Sequence, residues 1–132
     1  MREETRLWLD YAEENFEIAR LALERGYLNA CLQNACQAVE KALKAVLLER
    51  RGAAPATSRI RELGRLVAAE SMPFAISSEE CDLLDSIDFP SRYPTIGVSS
   101  AASADWKVCI ECVRIADRIL ADLRNRLSAP RE

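Results

Sequence analysis

From Leu28 to Arg51 the chain reads LNACLQNACQAVEKALKAVLLERR. Leu28, Leu32, Ala35, Val39, Ala42 and Val46 recur three or four residues apart, which places them on one face of an α-helix. A second line, Cys36, Val39, Leu43 and Leu47, widens that face. A helix apolar on more than one side is central to its fold, or shared between the core and a partner. The stretch contains no Gly or Pro, and its many alanines allow neighbouring helices to approach closely. Gly52 and Pro55 close it.

Upstream, only Gly26 and Tyr27 separate this helix from another pattern over Glu3–Arg25, so the two are expected to fold back as an antiparallel hairpin. Trp8, Ala12, Phe16, Ala19 and Leu23 form the expected inner face of the first helix, with Asp10, Glu14, Glu17 and Glu24 opposite. Downstream, a third helix is expected from Ser58 to Ala69, with Thr57 or Ser58 as its N-cap and Ile60, Leu63, Leu66 and Val67 inward. Ser77 and Glu80 have capping-box spacing and open a short helix to about Asp88, with Leu83, Leu84 and Ile87 as its apolar side. Phe89 to Ser103 is the one long irregular stretch. The last helix is expected from about Ala104 to Leu127, where Trp106, Cys109, Val113, Ala116, Leu120, Leu123 and Leu127 alternate three and four apart in a bundle seam. There is no internal repeat and no convincing strand alternation. The reading is therefore all-α, an up-and-down four-helix bundle with an additional short helix, in a single domain over residues 1–132.

Composition narrows the function classes. The 132 residues carry 18 basic and 21 acidic side chains, a net charge of −3, where nucleic-acid-binding domains usually show a strong basic excess. No segment approaches the roughly 18 apolar residues of a membrane span, and Met1 to Asp10 lacks a signal-peptide core, so a cytoplasmic protein is expected. The five cysteines, Cys31, Cys36, Cys81, Cys109 and Cys112, all fall in apolar helical patterns and are expected as reduced, buried thiols.

The most informative feature is an absence: the chain has no histidine. That removes Ser-His-Asp and Cys-His catalysis, His-based metal sites and imidazole acid–base chemistry. Cys109 and Cys112 form a CxxC, but no second pair completes a zinc site, and core packing is the better reading. No metal and no cofactor is expected. Glu40 and Lys44 stand at i, i+4 in the favourable order, and Lys41 lies beside them. They read as a solvated face, or as a cationic pair facing a phosphate or an acidic partner. Arg59, Arg61 and Arg65 open the third helix, where backbone N–H groups can hold an anion. Arg92-Tyr93-Pro94 combines a bidentate donor, a stacking face and a stiffened backbone inside the irregular stretch. Its alternative is an anchored Tyr beside an ion-paired Arg. There is neither a Gly-rich phosphate loop nor the Gly-Ser and Asp-x-Asp signature of a nucleotidyltransferase, so no enzymatic activity is expected.

These features together resemble the HEPN family. The run Trp8-Leu9-Asp10-Tyr11-Ala12-Glu13-Glu14-Asn15-Phe16 looks like the family's opening. Ala35-Cys36-Gln37-Ala38-Val39-Glu40-Lys41-Ala42-Leu43-Lys44-Ala45-Val46-Leu47-Leu48 is close to its second-helix run. Pro55-Ala56-Thr57-Ser58 and Arg92-Tyr93-Pro94 continue the likeness. The resemblance implies a helical bundle that commonly dimerises and has a nucleotide- or RNA-related role. It also implies a minimal nucleotidyltransferase as partner in a two-component, toxin–antitoxin-like pair. Ribonuclease members use an Arg followed a few residues later by a His, which this chain lacks. Relatives often place a His where Ser58 stands.

The expected function is thus a non-catalytic binding module. The alternatives are a degenerate or atypical ribonuclease toxin and a purely structural interaction dimer. The expected site centres on Arg92 and Tyr93, with Arg59 and, on family analogy alone, Lys41 and Lys44. A homodimer is expected, because Cys112, Ile115 and Ile119 add apolar surface beside the last helix's seam.

Overall fold

The chain is described by a computed structural model covering residues 1–70, 76–87 and 105–128. Its first two helices, α1 (Glu3–Arg25) and α2 (Leu28–Arg51), form the expected hairpin. Gly26 makes the turn possible at φ 76°, a left-handed conformation that costs glycine little. The Tyr27 N–H reaches back to the Ala22 carbonyl at 2.8 Å and so closes the α1 C-terminus. The aromatic ring of Trp106 lies against this turn: a Cβ on Gly26 would stand 3.6 Å from it.

α2 is the hub. Every residue from Ala42 to Glu49 is buried, so for two turns the helix has no solvent face. It packs against α1, against α3 (Ile60–Ala69) and against α5 (Trp106–Ser128). The remaining helix, α4 (Ser78–Ser86), packs on α3. The fold is all-α, as the periodicity predicts. Among the described residues, no helix is long and apolar enough to cross a membrane.

Three expectations are corrected. The inner face of α1 is rotated: Thr5, Leu9, Ala12, Ala19 and Ala22 are buried, while Trp8, Phe16 and Leu23 are half-buried at its edges. Small side chains at the centre let α1 close on the alanine-rich α2, and the bulky ones fill the margins. In α5, Trp106 is 51% exposed and Val113 half-buried. The residues reserved for a second subunit are core: Cys112 and Ile115 are 0% exposed and Ile119 is 2%. α5 packs on both α1 and α2, so both of its apolar lines are used within one chain.

The third correction is a helix start. α3 begins at Ile60 rather than Ser58, and neither Thr57 nor Ser58 caps it. Its cap comes from α4: the Asp85 carboxylate accepts from Ile60 N at 2.7 Å and Arg61 N at 3.2 Å. α4 itself has the expected capping box, with Glu80 N donating to Ser77 Oγ at 3.0 Å and Ser77 N to Glu80 Oε1 at 2.9 Å. Glu80 also receives both terminal nitrogens of Arg118 at 2.7 and 2.8 Å, which ties α5 to the start of α4. These donors favour the ionised carboxylate. The Arg118 guanidinium, with the Ser77 N–H and hydroxyl adding to it against the cost of burial, holds Glu80 down at about 2.

Two outcomes follow for stability. Asp85→Ala removes the acceptor at the α3 start and is expected to lower unfolding free energy by about 1–2 kcal/mol, as for a lost N-cap. Ser58→Ala should stay within about 0.5 kcal/mol. Urea unfolding checks both through the midpoint at constant slope. Glu80 gives a pH signature. Because its folded pKa is depressed from 4.5 to about 2, its contribution is present above about 4.5 and lost as pH falls towards 2. The stability difference between wild type and Glu80→Gln should therefore shrink across that window, and a difference independent of pH would contradict the assignment.

Candidate functional site

A small cavity of about 50 Å³ lies where α2, the entry to α3 and the end of α4 meet. α2 contributes Cys36 and Glu40, the approach to α3 contributes Ser58, Arg59 and Ile60, and the α4 end contributes Leu84, Asp85 and Ile87. The Cys36 thiol donates to the Leu84 carbonyl at 3.7 Å, fixing the α2–α4 wall. Two carboxylates line the cavity, and each is already engaged. Asp85 caps α3, and Glu40 accepts from Lys44 Nζ at 3.1 Å.

The predicted residues separate. Arg59 is exposed on the rim, and its guanidinium has no hydrogen-bond or ion-pair partner among the described residues. Its own N–H donates to Thr57 Oγ1 at 3.2 Å, which in turn donates to Glu62 Oε2 at 3.0 Å, so the approach to α3 is held locally. Lys44 is only 8% exposed and does not line the cavity; its ammonium lies between Glu40 and the ring of Trp8, 5.9 Å from the ring centre. Lys41 also turns to α1. It donates to Asn15 Oδ1 at 2.7 Å and stands 5.9 Å over the Tyr11 ring. Asn15 donates onward to Asn34 Oδ1 at 2.9 Å, and Asn34 to the Ala30 carbonyl at 2.9 Å. Both lysines thus serve the α1–α2 interface. Arg92 and Tyr93 lie outside the described residues.

The helix-end anion site expected among the arginines is filled from within, because Asp85 holds the α3 N-terminus. Arg61 is paired with Asp82 and donates to the Ser78 carbonyl at 3.2 Å. That leaves Arg59 as the cavity-lining cation without a protein partner among the described residues. Sequence reading missed Asp85 because its role is set by a contact 25 residues away, with no local pattern to mark it.

All five cysteines are buried, and in four of them burial favours the protonated thiol. Burial pushes Cys31 up to about 12 and raises Cys81, Cys109 and Cys112 as well. The CxxC pair is 0% exposed, and the Cys109 thiol donates to the Leu28 carbonyl at 3.5 Å. A nucleophilic or metal-binding cysteine needs its thiolate, which burial in apolar surroundings disfavours. Among the described residues no three His, Cys, Asp or Glu side chains gather as a metal site. The geometry leaves room for an anion beside the Arg59 guanidinium. Native protein at about pH 8, near the ordinary thiol pKa, is expected to leave all five cysteines unmodified by a disulfide reagent, and unfolding should release them together. Rapid labelling of a folded thiol would overturn this account.

The sequence matches the HEPN domain across residues 5–126. No curated protein matches it. Among solved structures the fold is similar to TT1696 from Thermus thermophilus, with a TM-score of 0.74 and 26% identity over 94% of this chain and 98% of that one. It is also similar to ST0689, described as an archaeal HEPN homologue, with a TM-score of 0.69 and 25% identity over 97% of this chain and 100% of that one. With the domain match running through α1 to α5 and both likenesses covering nearly whole chains, this protein belongs to the HEPN domain family.

Proposed function

We propose that this HEPN protein is a non-catalytic binding module. In this reading it works in the cytoplasm as the partner of a minimal nucleotidyltransferase in a toxin–antitoxin-like two-component system. The observation that supports it best is Arg59: an exposed guanidinium without a protein partner among the described residues, on the rim of a cavity whose carboxylates are both engaged. Such a group recognises phosphate through charge-assisted, bidentate hydrogen bonds. The chain has no imidazole to move a proton near neutral pH, and Ser58 stands beside Arg59 where relatives often carry a histidine. Binding without turnover is what that combination supports. A nucleotide or RNA phosphate is the ligand class for Arg59. Pairing of two copies belongs to the same reading, on a surface other than Cys112, Ile115 and Ile119.

The test has two arms. ATP titrated into the purified chain should bind, and Arg59→Ala should weaken it by about tenfold or more, the cost of one lost charge-assisted hydrogen bond. Melting should be unchanged. In the second arm, the chain is mixed with a minimal nucleotidyltransferase encoded beside it and run by gel filtration, where a shared peak is expected. Equal ATP binding by wild type and Arg59→Ala would remove Arg59 from the site. Cleavage of single-stranded RNA by the purified chain in the presence of a chelator would refute the non-catalytic reading and favour an atypical ribonuclease.

A further inference from the structure

The outer face of α1 carries a stripe that the fold leaves uncovered. Leu7, Tyr11, Ile18 and Leu21 are 48, 50, 43 and 51% exposed, and they are half of the eight large apolar side chains exposed among the described residues. At 100° per residue they fall within an arc of about 80°, beside the buried face, and span about 21 Å of helix. Scattered apolar side chains need no explanation, whereas four on one helical face, here in two pairs either side of Glu14, form a candidate docking face. Tyr11 is held in place from behind by the Lys41 ammonium, 5.9 Å from its ring centre.

The charges beside the stripe favour one class of occupant over another. Exposed side chains of α1 comprise six acids (Glu3, Glu4, Asp10, Glu14, Glu17 and Glu24) against three arginines. Glu14 falls inside the stripe, and neither it nor Asp10 has an ion-pair partner among the described residues. Glu17 and Glu24 share one cation, Arg20, at 2.8 and 3.2 Å. An antiparallel second copy centred on Glu14 would set Glu14 against Glu14 and the acidic flank against itself, which like-charge repulsion disfavours. A helix of opposite sign faces no such penalty.

We propose that the α1 stripe is the docking face for a basic amphipathic helix of a partner protein. Its occupant places apolar side chains at i, i+3 or i+4, and i+7 on Leu7, Tyr11, Ile18 and Leu21, with Lys or Arg over Glu14 and the acidic flank. This deepens the binding-module reading by naming a partner chemistry, and it uses a surface that shares no residue with the Arg59 cavity.

The probe is a fluorescent peptide of about 18 residues, long enough to cover the stripe, with Leu on one face and Lys elsewhere. A Leu/Glu counterpart and a scrambled Leu/Lys sequence serve as controls. The chain should bind the Leu/Lys helix at least about tenfold more tightly than either control, by anisotropy. The double variant Ile18→Ser, Leu21→Ser should weaken it about tenfold without shifting the melt, since both side chains are solvent-facing. Glu14→Lys should weaken the basic peptide and strengthen the acidic one. Arg59→Ala should change nothing here, so this face and the anion site fail separately. Three results would each overturn the proposal: equal binding of the scrambled peptide, binding indifferent to the Ile18 and Leu21 variants, or a wild-type dimer in sedimentation that the double variant dissociates. The last would assign the stripe to a second copy.

Discussion

A helix with no solvent face for two turns must be enclosed by others, and α2 from Ala42 to Glu49 imposes that requirement on the whole molecule. Two of those eight residues are charged, and a buried charge is tolerated only with a partner. Lys44 is answered by Glu40 and the face of Trp8. Glu49 accepts the Arg2 backbone N–H at 2.8 Å, which anchors the chain just before α1, while the Arg2 side chain donates to the Glu49 carbonyl at 3.3 Å. The charges inside the hub therefore locate α1 along its length: Glu49 fixes its beginning, Lys44 and Lys41 its middle, and the Gly26 turn its end.

Carboxylates serve helix beginnings, Glu49 and Asp85 from another helix and Glu80 from its own. Glu49 stands at the α1 start, Asp85 caps α3, and Glu80 closes its own helix while holding Arg118 of α5. A helix N-terminus concentrates orphan N–H groups and partial positive charge, so a carboxylate there satisfies donors and dipole together. The arrangement also explains why the cavity beside α3 is not an open anion site at its backbone. The protein's own Asp85 occupies that position, and the Arg59 side chain beside it has no protein partner among the described residues.

Long-period features were legible in the sequence. The α1 and α2 boundaries, the Gly26 turn and the Ser77–Glu80 capping box all depend on residues within one or two turns of each other, and periodicity or local hydrogen bonding reveals them. The phase of α1 was not legible, because alanine and leucine weigh alike in an apolar pattern, whereas close packing against α2 selects the small side chains for the centre. The double use of α5 was missed for a related reason: one helix read alone does not disclose that two neighbours flank it. Of the candidate cavity, Arg59 was legible as a cation at a helix start, and the capping role of Asp85 was not, since its partner is distant in sequence. Lys41 and Lys44 were found as residues of interest, but their role came from Tyr11 and Trp8 on the facing helix, which no pattern within α2 contains.

The two tryptophans occupy complementary positions. Trp8 lies in the α1–α2 interface beneath the Lys44 ammonium, and Trp106 lies across the Gly26 turn at the first residue of α5. One indole is thus sensitive to closure of the hairpin, and the other to the seating of the final helix upon it. Since they are the only tryptophans in the chain, replacing either one by Phe leaves a single indole whose emission reports one of these two junctions without any label.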